Sequence, residues 1–186
     1  MNTQSQPTYS ATAYRQKLPQ LASNGRIFIT DGGLETDLII QQGIDLPEFA
    51  SLVLIKDAMG RAALSRYFDR YVAIAHQYDT GLILESPTWR ANRDWGERLG
   101  YSADALEKVN KEASAFFQEI RAEAETPATP MVISGCIGPR GDGYNPDSHM
   151  NAHEAQQYHT AQIEAFESAG ADMVSAITMT HVEEAI

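Results

Sequence analysis

Two acidic residues flank a glycine pair in the stretch Arg26 to Leu38, RIFITDGGLETDL: Asp31 stands just before Gly32-Gly33, and Glu35 just after. Carboxylates in such positions hold ammonium groups or exchange protons. The run Ile27-Phe28-Ile29 is too short for a helix and too apolar for a half-exposed strand. It predicts a parallel strand covered on both faces, with Asp31 delivered at its carboxyl end. Gly32 and Gly33 let backbone approach a ligand closely or adopt φ > 0. The plainer alternative is a Gly-Gly turn with Asp31 capping the next helix. Three later segments repeat the design: Glu85 with Ser86, Thr88, Trp89 and Arg90; Cys136 with Gly138 to Tyr144; and Thr178 with Thr180 and His181.

Positioning these groups requires a parallel α/β framework. Apolar runs at Ile27 to Thr30, Leu82 to Glu85, Met131 to Gly135 and Met173 to Thr178 predict four core strands. Between the first two, Tyr67, Phe68, Tyr71, Ile74, Ala75 and Tyr78 recur at three- and four-residue steps, the mark of one buried helix face. Leu106, Val109, Ala113, Phe116, Phe117 and Ile120 do the same in the second interval. The third helix starts at Asn151 with Glu154 three residues on, a capping-box pattern, and ends at Gly170. The resulting β-α-β-α-β-α-β order implies right-handed crossovers. Such folds collect their chemistry at the carboxyl ends of the strands, where all four polar segments fall.

Composition narrows the function classes. A net charge of −11 from 14 basic and 25 acidic residues, with the basic ones scattered, argues against nucleic-acid and anionic-membrane partners. The polar first 24 residues lack a secretory pattern and read as a flexible tail, with residues 25–186 as the folded domain. No apolar run approaches the roughly 18 residues that cross a bilayer. One cysteine, Cys136, excludes an internal disulfide and suits a reducing, cytoplasmic setting.

The segments ITDGGLETDLI, LILESPTWRAN, ISGCIGPRGDGY and GADMVSAITMTHVEEAI resemble the amino-terminal half of the homocysteine S-methyltransferase family. The resemblance spans about residues 25 to 186. It implies a (β/α)8 barrel of which this chain writes the first four βα units, a bound zinc ion, and methyl transfer to the thiol of homocysteine to give methionine. The donor would be S-methylmethionine, betaine or a methylfolate. By the same resemblance Asp31 grips the substrate ammonium, Gly32 and Gly33 admit the ligand to the backbone, and Glu35, Glu85, Thr88 and Thr178 complete the substrate contacts. No residue is assigned as catalytic. Family members often carry an acidic residue just before the threonine matching Thr178, where this chain has Ile177.

Zinc coordination would turn a thiol, with an ordinary pKa of about 8.5, into the thiolate that attacks a methyl carbon. The family's zinc is held by three cysteines late in the barrel, and none of these is in this chain. A (β/α)8 barrel takes about 250 residues, against 186 here. The expectation is therefore a truncated, inactive form of a longer enzyme, or a half-barrel that needs a second copy or a second half. Exposed strand edges at β-strands one and four would follow.

Each assignment has a plainer counterpart. Glu35 could act on the dipole of the following helix, Glu85 could pair with Arg90 or Arg93, and Trp89 could be core rather than a cation–π wall for the donor. His149, His153 and His159 near Asp147 match no metal spacing and read as a solvated loop and helix start. Gly138 to Gly143 lacks the Lys and Ser/Thr of a nucleotide loop, and Arg140-Gly141-Asp142 reads as a coincidental adhesion tripeptide. The competing function classes are a non-catalytic binding or assembly module and an unrelated open-sheet enzyme using Asp31 and Glu85 as an acid/base pair.

Overall fold

A computed structural model describes residues 14–18, 20, 25–145 and 149–186. Four strands, β1 (Phe28–Thr30), β2 (Gly81–Glu85), β3 (Met131–Ile137) and β4 (Met173–Ala176), pair in parallel in the order β1-β2-β3-β4. A short helix α1 (Leu34–Thr36) follows β1 and runs into a π-helical turn, Asp37–Gln41. Long helices then connect the strands: α2 (Ala58–Gln77), α3 (Arg93–Arg98) with α4 (Ala103–Ala124), and α5 (Ala152–Ser168). A final turn, α6 (Val182–Ala185), follows β4. This is an α/β architecture of four consecutive βα units, each strand handing its carboxyl end to a loop.

Helix starts are fixed by side-chain caps. Asp57 accepts from the Gly60 amide at 2.8 Å, Asn92 from Trp95 at 3.3 Å and Ser102 from Ala105 at 3.2 Å. The expected capping box is present on α5: Asn151 accepts from the Glu154 amide and Glu154 accepts from the Asn151 amide, both at 3.0 Å. Gly170 takes φ +79° immediately after that helix, as its position predicts.

The sheet sorts residues by alternation. Leu82, Leu84, Met131, Ile133 and Ile137 point to the side packed by the helices, where Leu64, Phe68 and Phe117 join them in one core. Phe68 and Phe117 meet edge-on at 4.8 Å. Helix α5 closes tightly on β3, because a Cβ at Gly135 would sit 2.3 Å from the Phe166 ring. The opposite face carries Phe28, Ile83, Val132 and Met173 and, toward the carboxyl edge, the more polar Thr30, Glu85, Ser134, Cys136 and Ser175.

Several expectations need adjustment. Strand β1 begins at Phe28; Ile27 is 68% exposed, and Phe28 and Ile29 are only half-buried. As the sheet's edge strand, β1 pairs on one side only, with β2, and its side chains are only partly covered. Strand β4 ends at Ala176, because Thr178 takes a left-handed φ of 56°. On α2, Tyr67, Phe68 and Ala75 are buried but Ile74 and Tyr78 are exposed, Tyr78 lying beyond the last helical residue. Of the stretch 1–24 expected to be loose, Tyr14 and Arg15 are tied down. The Tyr14 amide donates to Asp172 at 3.0 Å, its hydroxyl to Glu125 at 2.6 Å, and Arg15 donates to the Ala171 carbonyl at 2.7 Å. Residues 1–13, 19 and 21–24 lie outside the described residues.

Candidate functional site

The loops after all four strands converge on one cavity of about 310 Å³. Asp31, Gly32, Gly33 and Glu35 line it from the β1 loop, Glu85, Ser86 and Trp89 from β2, Cys136 from β3, and Ile177 and Thr178 from β4. Phe49 and Tyr144 close its sides. Six of the seven residues expected to bind substrate therefore meet at one mouth.

Among the described residues, no lysine or arginine forms an ion pair with the cavity's carboxylates, although the charge of Arg90 is felt at Glu35. Asp31 accepts a hydrogen bond from the Tyr67 hydroxyl at 3.0 Å. Burial pushes its carboxyl up to about 7; the Tyr67 bond opposes this, while the charges of Glu85 and Glu35 add to it. Glu35 accepts from Ser51 at 2.6 Å, and burial raises its pKa against the pull of that bond and of Arg90. It lines the cavity and also stands in the first turn of α1. Glu85 accepts from Ser175 at 2.7 Å, Ser175 in turn contacts Ser134 at 2.8 Å, and burial raises Glu85 as well. Its second oxygen, Oε2, is buried without a hydrogen-bond partner. Cys136 completes the floor; burial, then the charges of Glu85, Glu35 and Asp31, push its thiol well above the usual range.

Glu85 does not pair with arginine. Arg90 turns instead to Asp142 at 3.3 Å and lies 3.6 Å from the centroid of the Trp95 ring, while Arg93 reaches Asp94 at 3.3 Å. Trp89 forms the opposite wall, its indole N–H donating to Thr178 Oγ1 at 3.1 Å. A Cβ at Gly138 would stand 2.4 Å from the Trp89 carbonyl, so only glycine lets the β3 loop pass behind this tryptophan. The left-handed backbone of Thr178, rare for a β-branched residue, aims its hydroxyl at the indole.

Thr88 stands apart from the cavity. It is fully buried, donates to the Cys136 carbonyl at 2.8 Å and contacts the Ser86 hydroxyl. Short polar side chains at a strand end serve the loop backbone as readily as a ligand, and here the loop holds the hydroxyl.

The weaker motifs have structural partners. Arg140 pairs with Asp94 at 2.7 Å, and Asp142 accepts from the Tyr144 amide at 2.8 Å, so the Arg-Gly-Asp tripeptide ties its own loop. His153 contacts Gln157, and His149 stacks on His181 at 3.9 Å. His159, expected in a solvated helix start, is only 4% exposed and meets Glu184 at 3.0 Å, because it lies on the inward face of α5. Asp147 lies outside the described residues. Among the described residues, no three His, Cys, Asp or Glu side chains cluster as metal ligands.

Sequence patterning passed over several contributors. Tyr67 and Tyr71 read as core residues, yet both hydroxyls reach the Asp31-Gly32 corner: Tyr71 Oη accepts the Gly32 amide at 3.0 Å and lies 3.3 Å from Tyr67 Oη. Two hydroxyls at i, i+4 on an otherwise apolar face were the available signal. Ser134 and Ser175 could have been found from the period-2 alternation that puts them on the same face as Glu85.

The family model described as Homocysteine S-methyltransferase matches residues 28–186. Two solved structures of the homocysteine methyltransferase MmuM from Escherichia coli share the fold. The metallated form superposes with a TM-score of 0.64 at 16% identity, covering 90% of this chain and 58% of that one. The oxidized form gives 0.62 at 19% identity, covering 86% and 55%. The chain thus spans somewhat over half the length of the structures it resembles. No curated protein matches it.

Proposed function

This chain belongs to the homocysteine S-methyltransferase family, and from that premise we propose that it forms the amino-acid-binding part of a site where a methyl group passes to the thiol of homocysteine. The observation that supports this is the meeting of Asp31, Glu35 and Glu85 with a Gly-Gly backbone in one cavity that holds no partnering lysine or arginine. A buried carboxylate without a cation is raised in pKa; an incoming ammonium relieves that penalty and is held tightly in return. Asp31 takes the ammonium, Glu85 offers the unpartnered Oε2 from the neighbouring strand, and the Gly32-Gly33 backbone leaves room for the amino-acid end. Glu85 thereby supplies a carboxylate on a wall where Ile177 leaves the β4 loop without one. Glu35 adds negative potential, and Thr178 holds Trp89, whose ring walls the space for a cationic methyl donor.

Zinc, implied by the family resemblance through three cysteines, finds no matching ligand set in these residues. Cys136 is the single cysteine, is buried, and is surrounded by carboxylates that keep its thiol protonated. No step is therefore routed through the metal; the residues on this cavity bind and orient the amino acid. We read the 186-residue chain on its own as binding homocysteine without turning it over, in a cytoplasmic setting that suits a lone free thiol.

Isothermal titration of the purified chain with L-homocysteine tests the assignment. Binding is expected at pH 8, weakening as pH falls through about 7, where Asp31 protonates. No heat at pH 8, or affinity unchanged in an Asp31→Asn variant, would overturn it.

A further inference from the structure

Two tyrosines on α2, neither of them on the cavity lining, reach the residue pair that begins the site. Tyr67 Oη lies 3.0 Å from Asp31 Oδ2, Tyr71 Oη lies 3.0 Å from the Gly32 amide nitrogen, and the two hydroxyls are 3.3 Å apart. Tyr67 is 1% exposed, with its ring edge-on to Phe68 at 5.1 Å and tilted against Tyr71 at 5.2 Å. The rings are fixed by core packing, and the hydroxyls are fixed with them.

The protons in this group have one consistent direction. The Gly32 amide can only donate, so Tyr71 Oη accepts from it. A carboxylate can only accept, so the single Tyr67 proton goes to Asp31 Oδ2. At the Tyr67–Tyr71 contact, Tyr71 must then donate and Tyr67 accept. The chain runs Gly32 N–H to Tyr71 to Tyr67 to Asp31 and closes on itself, because residues 31 and 32 are adjacent. It is satisfied only while Oδ2 carries no proton.

We propose that Tyr67 and Tyr71 are positioning residues that form a directional hydroxyl relay, commit Asp31 Oδ2 as an acceptor, and hold Asp31 as the anionic group that receives the ligand ammonium. The identity of that ligand rests on the function proposed above; the relay itself rests only on the contacts. The charged groups around Asp31 work against the anion, Glu35 on α1 and Glu85 on β2, while the Cys136 thiol on β3 stays protonated and adds no charge. Arg70, whose guanidinium lies 5.2 Å from the Tyr67 ring centroid, is bound to Asp37 at 2.7 Å and gives Asp31 no ion pair. The Tyr67 hydroxyl is thus the main side-chain contact favouring ionisation in a site whose charges oppose it. Chains of hydroxyls also strengthen one another in a low-dielectric interior, which gives Tyr71 an effect on a carboxylate it does not touch.

The test is to follow the Asp31 carboxyl by 13C NMR across pH in the full chain and in Tyr67→Phe and Tyr71→Phe variants, which keep both rings. A hydrogen bond to a charged group sets the scale at about one to two pKa units. Tyr67→Phe is expected to raise the Asp31 midpoint by at least about one unit, a tenfold fall in the ratio of anion to acid. Tyr71→Phe should give a smaller rise in the same direction. An Asp31 midpoint that is unmoved by Tyr67→Phe, or moved more by Tyr71→Phe, would overturn the relay. Homocysteine titrations of the same samples at pH 8 keep the two claims separate. Unchanged midpoints with intact homocysteine binding refute the relay alone, whereas shifted midpoints without any homocysteine binding support the relay and refute the substrate.

Discussion

Asp31→Asn should make this protein more stable at pH 8 while removing its ligand binding. The folded carboxyl titrates near 7 against an ordinary 3.8, chiefly because it is buried. Between those values the folded chain keeps a proton that the unfolded chain has already released. The unfolded state therefore gains relative to the folded one as pH rises through this window, and stability falls. Above about 7 the full penalty is present; below 3.8 it is absent. A difference of about 3 units at about 1.36 kcal/mol each gives an upper bound of about 4 kcal/mol. Asparagine has the same shape, still accepts from Tyr67 and never ionises, so it escapes the penalty. Urea denaturation of both chains should show Asp31→Asn gaining up to about 4 kcal/mol at pH 8 and no more than about 2 kcal/mol at pH 5, where the unfolded reference is only about one unit past its own pKa. The same variant should bind homocysteine more weakly by tenfold or more at pH 8, since it offers no charge. A variant less stable than the parent at pH 8, or a gain identical at both pH values, would refute the idea that Asp31 is an anion kept waiting for a cation.

Asp172→Ala should destabilise the chain by about 3–5 kcal/mol. It removes the 2.6 Å carboxylate from the buried Arg121, which keeps other contacts, and the acceptor of the Ile133 and Tyr14 amides; a loss under about 1 kcal/mol in urea would contradict this. Gly138→Ala forces a methyl against the Trp89 carbonyl. The overpacking should cost about 1–3 kcal/mol and alter the tryptophan fluorescence, and an unchanged spectrum would show that the wall adjusts freely. Elemental analysis of the purified 186-residue chain should find no stoichiometric zinc, and methyl-transfer assays with S-methylmethionine, betaine or a methylfolate should give no methionine. One zinc per chain would show that a ligand set other than cysteines forms.

How far the sequence reveals such a site depends on which physical signal each residue leaves. Strand ends, caps and helix faces are local: Asn151 with Glu154, and the apolar runs before Asp31 and Glu85, can be read within a few residues. Coverage of β1 could not be read this way. Ile27-Phe28-Ile29 is as apolar as an interior strand and its edge position follows from the strand count, but whether anything packs over its faces is set by contacts far away in sequence. The placement of Thr88 off the cavity lining was hidden for a related reason. A hydroxyl three residues past a strand can face a ligand or its own loop, and the choice is set by the Cys136 carbonyl, a contact 48 residues away in sequence.

Tyr67 and Tyr71 show the most consequential gap. Periodicity assigned them to the core, and their rings are indeed in it; what periodicity does not register is that a tyrosine has two ends with different demands. A phenol buried to 1% exposure must give its proton to something. Buried hydroxyls on an apolar helix face therefore point toward the polar group they satisfy. Traced outward from α2, that rule leads to Asp31 and Gly32, the residues that the strand-end pattern selects independently. The two routes meet at the corner where three raised carboxylates, among the described residues, have no ion pair with a cation of the protein. A fold that relieved the strain there with a lysine would be more stable and would have nothing left with which to hold the ammonium group proposed above.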